Sequence, residues 1–387
     1  MRGRDIDEQH RVSTPLELLF DLTFVVAVAQ VAAQLAHSIA AGNFFSVGIA
    51  GYLMVFFAIW WSWVNFTWFA SAYDTDDAAY RLLTLVQIGG VLVLAAGVPN
   101  AFSKADYSVV TLGYLLMRVG LVCQWIRAAK QHPAGRATAY RYAAGIGFVQ
   151  VLWVARLFLP ASLALPAYFL VLLLDVCVPL WAERRGRTPW HPHHIAERYG
   201  LFTIILFGES VSAIALAVQA FMKSSAVSAD LILVAAAGLV LIFALWWLYF
   251  DNPAGEGLGK NRKLAFFWGY SHYFLFVSVA AIGAGLEAAI DSGSPEFESP
   301  IIVVAYVIAI PVACFFAMLY ILNLPTRGTT ATRSRAIAAA IVLVLLVPLA
   351  APLAGIAVTV TLTALIAAML VAVPLLAPER ARSGVAS

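Results

Sequence analysis

The chain has 387 residues, of which 62% are hydrophobic and 12% are charged, and its formal net charge is +3. A soluble globular protein carries about 25% charged residues, so this composition excludes an ordinary soluble domain. The small net charge is spread over short loops and does not indicate a nucleic-acid partner. Runs of about 20 apolar residues recur along the chain, which indicates helices that cross a lipid bilayer.

The alternation of apolar runs and loop signals predicts about twelve helices. The charged segment 1–14 precedes a full-length apolar run rather than a short one with a cleavage site, so we expect no cleavable signal peptide. All connecting loops are short, so we expect function to reside within the membrane or at its surfaces. The predicted helices cover residues 15–38, 46–71, 80–99, 108–129, 138–159, 163–182, 194–220, 229–250, 263–290, 300–323, 334–351 and 354–376.

Positive charges are distributed unequally between the two ends of these helices. If the N-terminus is cytoplasmic, most of the 24 Lys and Arg residues fall on the cytoplasmic side, as the positive-inside rule requires. If the helix count were wrong by one, these positive charges would no longer fall mainly on one side of the membrane. The sequence therefore predicts a multi-pass protein of the cell inner (cytoplasmic) membrane, with cytoplasmic terminal segments 1–14 and 377–387.

A recurring aromatic motif indicates an internal repeat. FAIWW at 57–61 returns as FALWW at 243–247, and the spacing of Glu17 and Thr23 returns in Glu197 and Thr203. Six helices per copy is an even number, which makes the copies parallel, related by an axis along the membrane normal. The predicted fold class is all-α: a polytopic membrane helix bundle of two six-helix repeats, 15–183 and 194–376, joined by a basic cytoplasmic linker at 184–193. Chance similarity between apolar segments is the alternative.

Two carboxylates lie near the start of the first predicted helix. Thr14, Pro15 and Glu17 fit a capping box with proline at the first helical position, so Glu17 has a structural explanation beside a functional one. Asp21 lies about 9 Å along the helix from its first residue, Pro15, where a charge is expensive and normally faces a partner or water. Snorkelling of Asp21 to the interface stays open.

Three further charges are predicted deep in the bilayer: Arg118, Asp175 and Glu209. Each lies about 15–18 Å along its helix from an end or from Glu197. The economical arrangement is for Arg118 to face Asp175 or Glu209, and a purely structural ion pair is a serious alternative. Three charges nevertheless leave at least one acid unbalanced or protonated, as a proton- or cation-coupled site requires.

Polar residues within the helices are the candidates for lining a cavity. Polar stripes line cavities, but they also pack helices together. His272 lies inside the predicted helix 263–290, where a buried hydrogen-bonded histidine is at least as expected as a proton relay. The cavity-lining candidates are Thr23, Gln30, Gln34 and His37, on one stripe of the first helix, and Asn65.

Recognisable metal and cofactor motifs are missing from the sequence. Cys123, Cys177 and Cys314 lie singly within apolar helices. In the HPHH run at 191–194 the proline disrupts the helical spacing of histidine ligands. No P-loop, dinucleotide-binding, metalloprotease or nucleophile-elbow motif is found. We therefore expect neither a metal nor a cofactor.

Two stretches resemble the low temperature requirement A (LtrA) family of bacterial membrane proteins: LELLFDLTFVVAVAQ at 16–30 and HHIAERYGLFTIILFGESVSA at 193–213. Trp60-Trp61, Asn65, Arg81, the AxxxPNAF run at 95–102 and Tyr114 also fall where the family's pattern would put them. The family is named for a growth phenotype in the cold, so the resemblance implies a motif set without roles. Its members here are Glu17, Asp21, Arg118, Glu197, Arg198, Glu209 and His272.

Three functional hypotheses are compatible with these sequence features. The leading hypothesis is a proton-coupled secondary transporter of a small solute, more in keeping with the sequence than an enzyme. A cation channel lined by the first helix of each repeat is the second, although no TVGYG-type filter is visible. The third is a membrane-embedded enzyme acting on a lipid or an isoprenoid at the cytoplasmic face, where Glu17, Asp21, Glu197, Arg198 and the HPHH histidines are expected to cluster. The nearest acidic motif for prenyl chemistry is the DTDD run at 74–77, and a solvated connection explains that run equally well. The expected partners are the lipid bilayer and an unidentified small solute or ion, no nucleic acid is expected, and homo-oligomerisation stays open.

Overall fold

All regular elements in the described part of the chain are helices, which confirms the all-α prediction. The computed structural model describes residues 1, 3–5, 8, 12–224, 228–251, 254–260, 264–324 and 330–376. The predicted C-terminal tail, 377–387, lies outside the described residues, and the predicted segment 1–14 is described only in part. The helices are α1 Pro15–Ala40, α2 Ile49–Tyr73, α3 Ala78–Lys104, α4 Ser108–Gln131, α5 Arg136–Ala155, α6 Ala161–Ala182, α7 Pro192–Ser224, α8 Ala229–Phe250, α9 Gly255–Lys260, α10 Ala265–Asp291, α11 Ile301–Asn323, α12 Ala331–Leu346 and α13 Ala351–Leu376.

Ten segments of the described chain are long and apolar enough to cross a membrane. The basic helix α5, with Arg136 and Arg141 in its first turns, is not among them, and residues 331–372 count as one segment of 42 residues. Within that segment a 3₁₀ turn at Val347–Ala350 separates α12 from α13, as expected where Pro348 removes a backbone donor. A membrane helix bundle is thus supported, while twelve spans stay a prediction.

The chain divides into two compact units. The first unit contains residues 1–31 and 51–201, and the second contains residues 32–50 and the chain from 202 onward. Helices α1 and α7 therefore each continue from one unit into the other. The predicted repeats, 15–183 and 194–376, and the linker at 184–193 stay predictions. The two Trp-Trp pairs differ in environment, because Trp60 and Trp61 are buried whereas Trp246 and Trp247 are 44% and 49% exposed.

In the first unit, α3 and α4 approach each other closely through glycines. A Cβ added at Gly90 would lie 2.8 Å from the carbonyl oxygen of Gly113, and one at Gly97 would lie 2.6 Å from the backbone nitrogen of Val110. Small residues permit such backbone contact between membrane helices, whose association depends on close packing. Helix α2, which carries the buried rings of Trp61, Trp63 and Phe66, supplies much of this unit's aromatic core.

In the second unit, α10 is the most buried of the candidate membrane-spanning helices: 83% of its apolar 18-residue stretch is buried within the protein. It packs against α8 and α11, and α13 packs against the same two helices. At Gly283 an added Cβ would lie 2.7 Å from the Ser210 hydroxyl, so α10 also lies directly on the second-unit part of α7. This contact brings the acidic residues of α7 and α10 into one neighbourhood.

Candidate functional site

The first turn of α1 forms the predicted capping box. The Thr14 backbone N–H donates to Glu17 Oε2 at 2.8 Å, and the Glu17 backbone N–H donates to Thr14 Oγ1 at 3.3 Å. These bonds satisfy backbone donors that the start of a helix leaves without partners. The structural role of Glu17 is confirmed, and its remaining oxygen is available to a second group.

That second group is Arg198, which bridges both carboxylates of α1. Its Nη1 donates to Glu17 Oε1 at 3.0 Å, and its Nε and Nη2 donate to the two oxygens of Asp21 at 2.9 and 2.5 Å. Trp63 Nε1 adds a hydrogen bond to Asp21 at 2.7 Å, and His194 Nε2 lies 3.1 Å from Glu17 Oε1. All these side chains are buried, so Asp21 faces a partner and does not snorkel.

This Arg198 cluster, defined as Glu17, Asp21, Arg198 and His194, is one proton from electrical neutrality. Two carboxylates and one guanidinium leave a charge of −1 when His194 is neutral, and none when it is protonated. Every oxygen of Asp21 is hydrogen-bonded to Arg198 or Trp63. A buried, fully paired network of this kind holds helices in one arrangement.

Sequence reasoning expected these residues at one membrane face but missed that Arg198 joins both carboxylates of α1. The available signal was the spacing of His194 and Arg198, which puts both on one face of α7 a turn apart. Glu197 was also predicted as a site residue, yet it points elsewhere: it is half-buried and accepts a hydrogen bond from the Ser13 backbone at 3.2 Å.

A second buried cluster contains the predicted pair of Arg118 and Asp175. Their closest charged atoms are 3.7 Å apart, and Tyr114 lies between them, donating to Asp175 at 2.7 Å and accepting from Arg118. Trp61 and Trp153 donate to the same carboxylate at 2.8 and 2.9 Å. Asp175 therefore has three hydrogen bonds without Arg118, and the arginine is satisfied only in part.

The third cluster lies in the second unit and is acidic. Glu209 of α7 directly precedes Ser210, which contacts Gly283 of α10, so Glu287, one turn after Gly283, lies in the same neighbourhood. Glu209 and Asp291 are both like charges within electrostatic range of Glu287. His37 lies within electrostatic range of Asp291. All three acids are half-buried, and His37 is exposed. Sequence reasoning missed Glu287, although its spacing of four residues from Asp291 places both on one helix face.

The remaining predicted site residues make local hydrogen bonds or are partly exposed. His272 is buried, with Nδ1 2.8 Å from the Trp268 carbonyl oxygen and Nε2 3.2 Å from the Tyr249 hydroxyl. Asn65 donates to the Trp61 carbonyl one turn earlier, at 2.8 Å. On the stripe of α1, Gln30 and His37 are exposed, whereas Thr23 and Gln34 are half-buried. Whether these residues line a solute cavity stays a prediction.

Two carboxylates of the acidic run at 74–77 form ion pairs with arginine side chains. Asp76 accepts two hydrogen bonds from Arg81 at 2.8 Å, and Asp77 pairs with Arg127 while capping α3 through the Tyr80 backbone N–H at 3.0 Å. The Arg127 guanidinium holds the pKa of Asp77 well below its usual range. In the described ranges, no group of three or more His, Cys, Asp and Glu residues is placed to hold a metal ion.

Comparison with known proteins gives the family. A model described as "Bacterial low temperature requirement A protein (LtrA)" matches residues 12–373. A protein of Rhizobium meliloti (strain 1021), described as uncharacterized, is 27% identical over 263 residues, which is 65% of this chain and 61% of that protein. The chain thus matches less than two thirds of this relative's length. Because the family model covers nearly every helix described above, the chain belongs to the bacterial low temperature requirement A (LtrA) family.

Proposed function

We propose that this LtrA-family membrane protein is a proton-coupled secondary transporter of a small solute. The proton-binding groups of the proposal are Glu209, Glu287 and Asp291, defined here as the acidic cluster. The observation that carries it is three neighbouring carboxylates on membrane-spanning helices that have no Lys or Arg partner among the ion pairs of the described residues.

An unpaired carboxylate within a membrane helix is costly, and it is usually found where ions or protons move. Protonating one of two facing carboxylates removes both their repulsion and the cost of holding a charge in a medium of low dielectric. Glu209 and Glu287 meet this condition. The acids of the other two clusters do not, because arginine or several hydrogen-bond donors already compensate them.

Partial exposure leaves the acidic cluster open to proton exchange in this proposal. Glu209, Glu287 and Asp291 are half-buried rather than sealed, and the exposed His37 lies beside Asp291 at the end of α10. An imidazole nitrogen can accept a proton and pass it on, which suits His37 to deliver protons to Asp291. In the proposal, His37 and Asp291 form the entrance of the proton path and the two glutamates form its coupling site.

The test is uptake into proteoliposomes that contain the full chain. Defined pools of radiolabelled amino acids, sugars and short-chain organic acids would be offered with and without an inward proton gradient. We expect gradient-dependent accumulation from at least one pool, about tenfold above protein-free liposomes. Glu287→Gln and Glu209→Gln should abolish the dependence on the gradient, whereas Glu296→Gln, an equal charge change at an exposed loop position of the same unit, should leave it unchanged.

Two results would count against the proposal. Uptake that is indifferent to the proton gradient and to both glutamate variants would remove the role of the acidic cluster. Steady conductance in planar bilayers without added solute, reduced by the same variants, would instead favour a cation channel.

A further inference from the structure

Helices α4 and α5 leave an apolar groove in the first unit, on the side of Arg118 that does not face Asp175 or Tyr114 through a hydrogen bond. Its volume is about 590 Å³, within the range of about 300–1,000 Å³ that small-molecule sites occupy. The walls are mainly aliphatic and aromatic and include Leu115, Val122, Val151 and Phe158. An apolar chain from the membrane would fit such walls.

Two polar side chains, Arg118 and Gln150, interrupt this apolar wall. They are only 2% and 5% exposed. Nε and Nη1 of Arg118 and Nε2 of Gln150 are buried without a hydrogen-bond partner among the described residues. Buried donors normally have acceptors, and leaving several together unsatisfied is costly. The groove therefore lacks a hydrogen-bond acceptor.

The charge and depth of the site define that acceptor further. Arg118 already has Asp175 as its counter-ion at 3.7 Å, so an anion would leave an excess negative charge in a medium of low dielectric. Arg118 also lies about 15 Å from the start of α4 and further from its end, near the middle of a hydrocarbon layer about 30 Å thick. The ester carbonyls of phospholipids lie at the edges of that layer, so the acceptor belongs to an uncharged group that resides within it.

We propose that the α4–α5 groove binds a lipid-soluble quinone, whose ring carbonyls accept hydrogen bonds from Arg118 and Gln150 and whose isoprenoid chain lies along the apolar wall. A quinone ring is uncharged, offers two acceptor oxygens and no donor, and carries an apolar tail. This inference stands apart from the transporter proposal, since it uses a different unit and different residues.

Two glycines provide a matched pair of variants. A Cβ added at Gly147, in the groove wall, meets nothing within 4 Å, so the leucine of Gly147→Leu would occupy groove space without disturbing the backbone. Gly89, on α3 and outside the groove, also has nothing within 4 Å. Gly89→Leu therefore makes the same chemical change away from the site. Gln150→Leu removes one donor and keeps the wall apolar.

The test uses the full chain in quinone-free nanodiscs and an azido-substituted ubiquinone analogue with a decyl chain. After photolysis, labelled peptides are identified by mass spectrometry, and thermal unfolding checks that each variant is folded. We expect labelling of α4 and α5 that is competed by decylubiquinone but not by decane. Gly147→Leu should reduce this labelling at least tenfold, Gln150→Leu about three- to tenfold, and Gly89→Leu not at all.

Three outcomes would overturn the inference. Equal labelling in the Gly147→Leu and Gly89→Leu variants would show that the groove is not the binding site. Labelling spread over all lipid-facing helices would show bulk partitioning only. Competition by oleic acid as strong as that by decylubiquinone would show that the site recognises a fatty acid instead.

Discussion

Replacing Arg198 by methionine should destabilise the protein strongly while preserving much of the apolar volume. The buried guanidinium makes three hydrogen bonds, at 2.5, 2.9 and 3.0 Å, to two carboxylates. Each charge-assisted bond is worth about 1.5–3 kcal/mol, but the cost of burying the arginine offsets part of their sum. Breaking a buried pair by removing one partner typically costs about 3–5 kcal/mol, because the other charge stays buried and uncompensated. We expect a loss in that range for Arg198→Met.

The free energy of unfolding would be measured by SDS titration in mixed micelles, followed by circular dichroism. Arg81→Met is the matched control, since Arg81 and Asp76 are 58% and 54% exposed and solvent-exposed ion pairs contribute little to stability. The triple variant Glu17→Gln, Asp21→Asn, Arg198→Met should recover part of the loss, because no buried charge is left without a partner. An Arg198→Met loss as small as that of Arg81→Met would refute the reasoning, as would a triple variant less stable than the single one.

Three further predictions concern packing, capping and the buried histidine. Gly90→Ala should lower the free energy of unfolding by about 1–3 kcal/mol, because its Cβ would lie 2.8 Å from a carbonyl oxygen of α4. Gly89→Ala has open space around the added Cβ and should not lower it. Equal effects of the two variants in SDS titration would contradict this prediction. Asp77→Ala should cost about 0.5–2 kcal/mol through the lost cap. Since Arg127 lowers the pKa of Asp77, this contribution should be present at neutral pH and disappear as the pH falls through the folded-state pKa; a deficit that persists in strong acid would refute it. His272→Phe should cost about 1 kcal/mol without changing the pH profile of uptake, and a shifted profile would instead make His272 a proton relay.

The pairing of Arg118 with Asp175 was predictable because two opposite charges deep in apolar helices have few other means of compensation. The interposed Tyr114 and the two tryptophans were not, since nothing in their local spacing marks them as donors to one carboxylate. The bridge from Arg198 to Asp21 joins residues 177 positions apart. No helical periodicity connects such distant residues, so only packing reveals the bridge.

Composition and local periodicity by themselves determined that this is a membrane helix bundle, where α1 begins and how Glu17 caps it. These properties follow from interactions within one or two helical turns and from the apolarity that a bilayer demands. The tertiary structure alone decided which intramembrane charges are compensated and which are left as an acidic group. It also decided where the unsatisfied donors of Arg118 and Gln150 meet an apolar groove. The physical reason is that charge compensation and cavity shape depend on side chains from helices far apart in the chain, whose approach is set by packing.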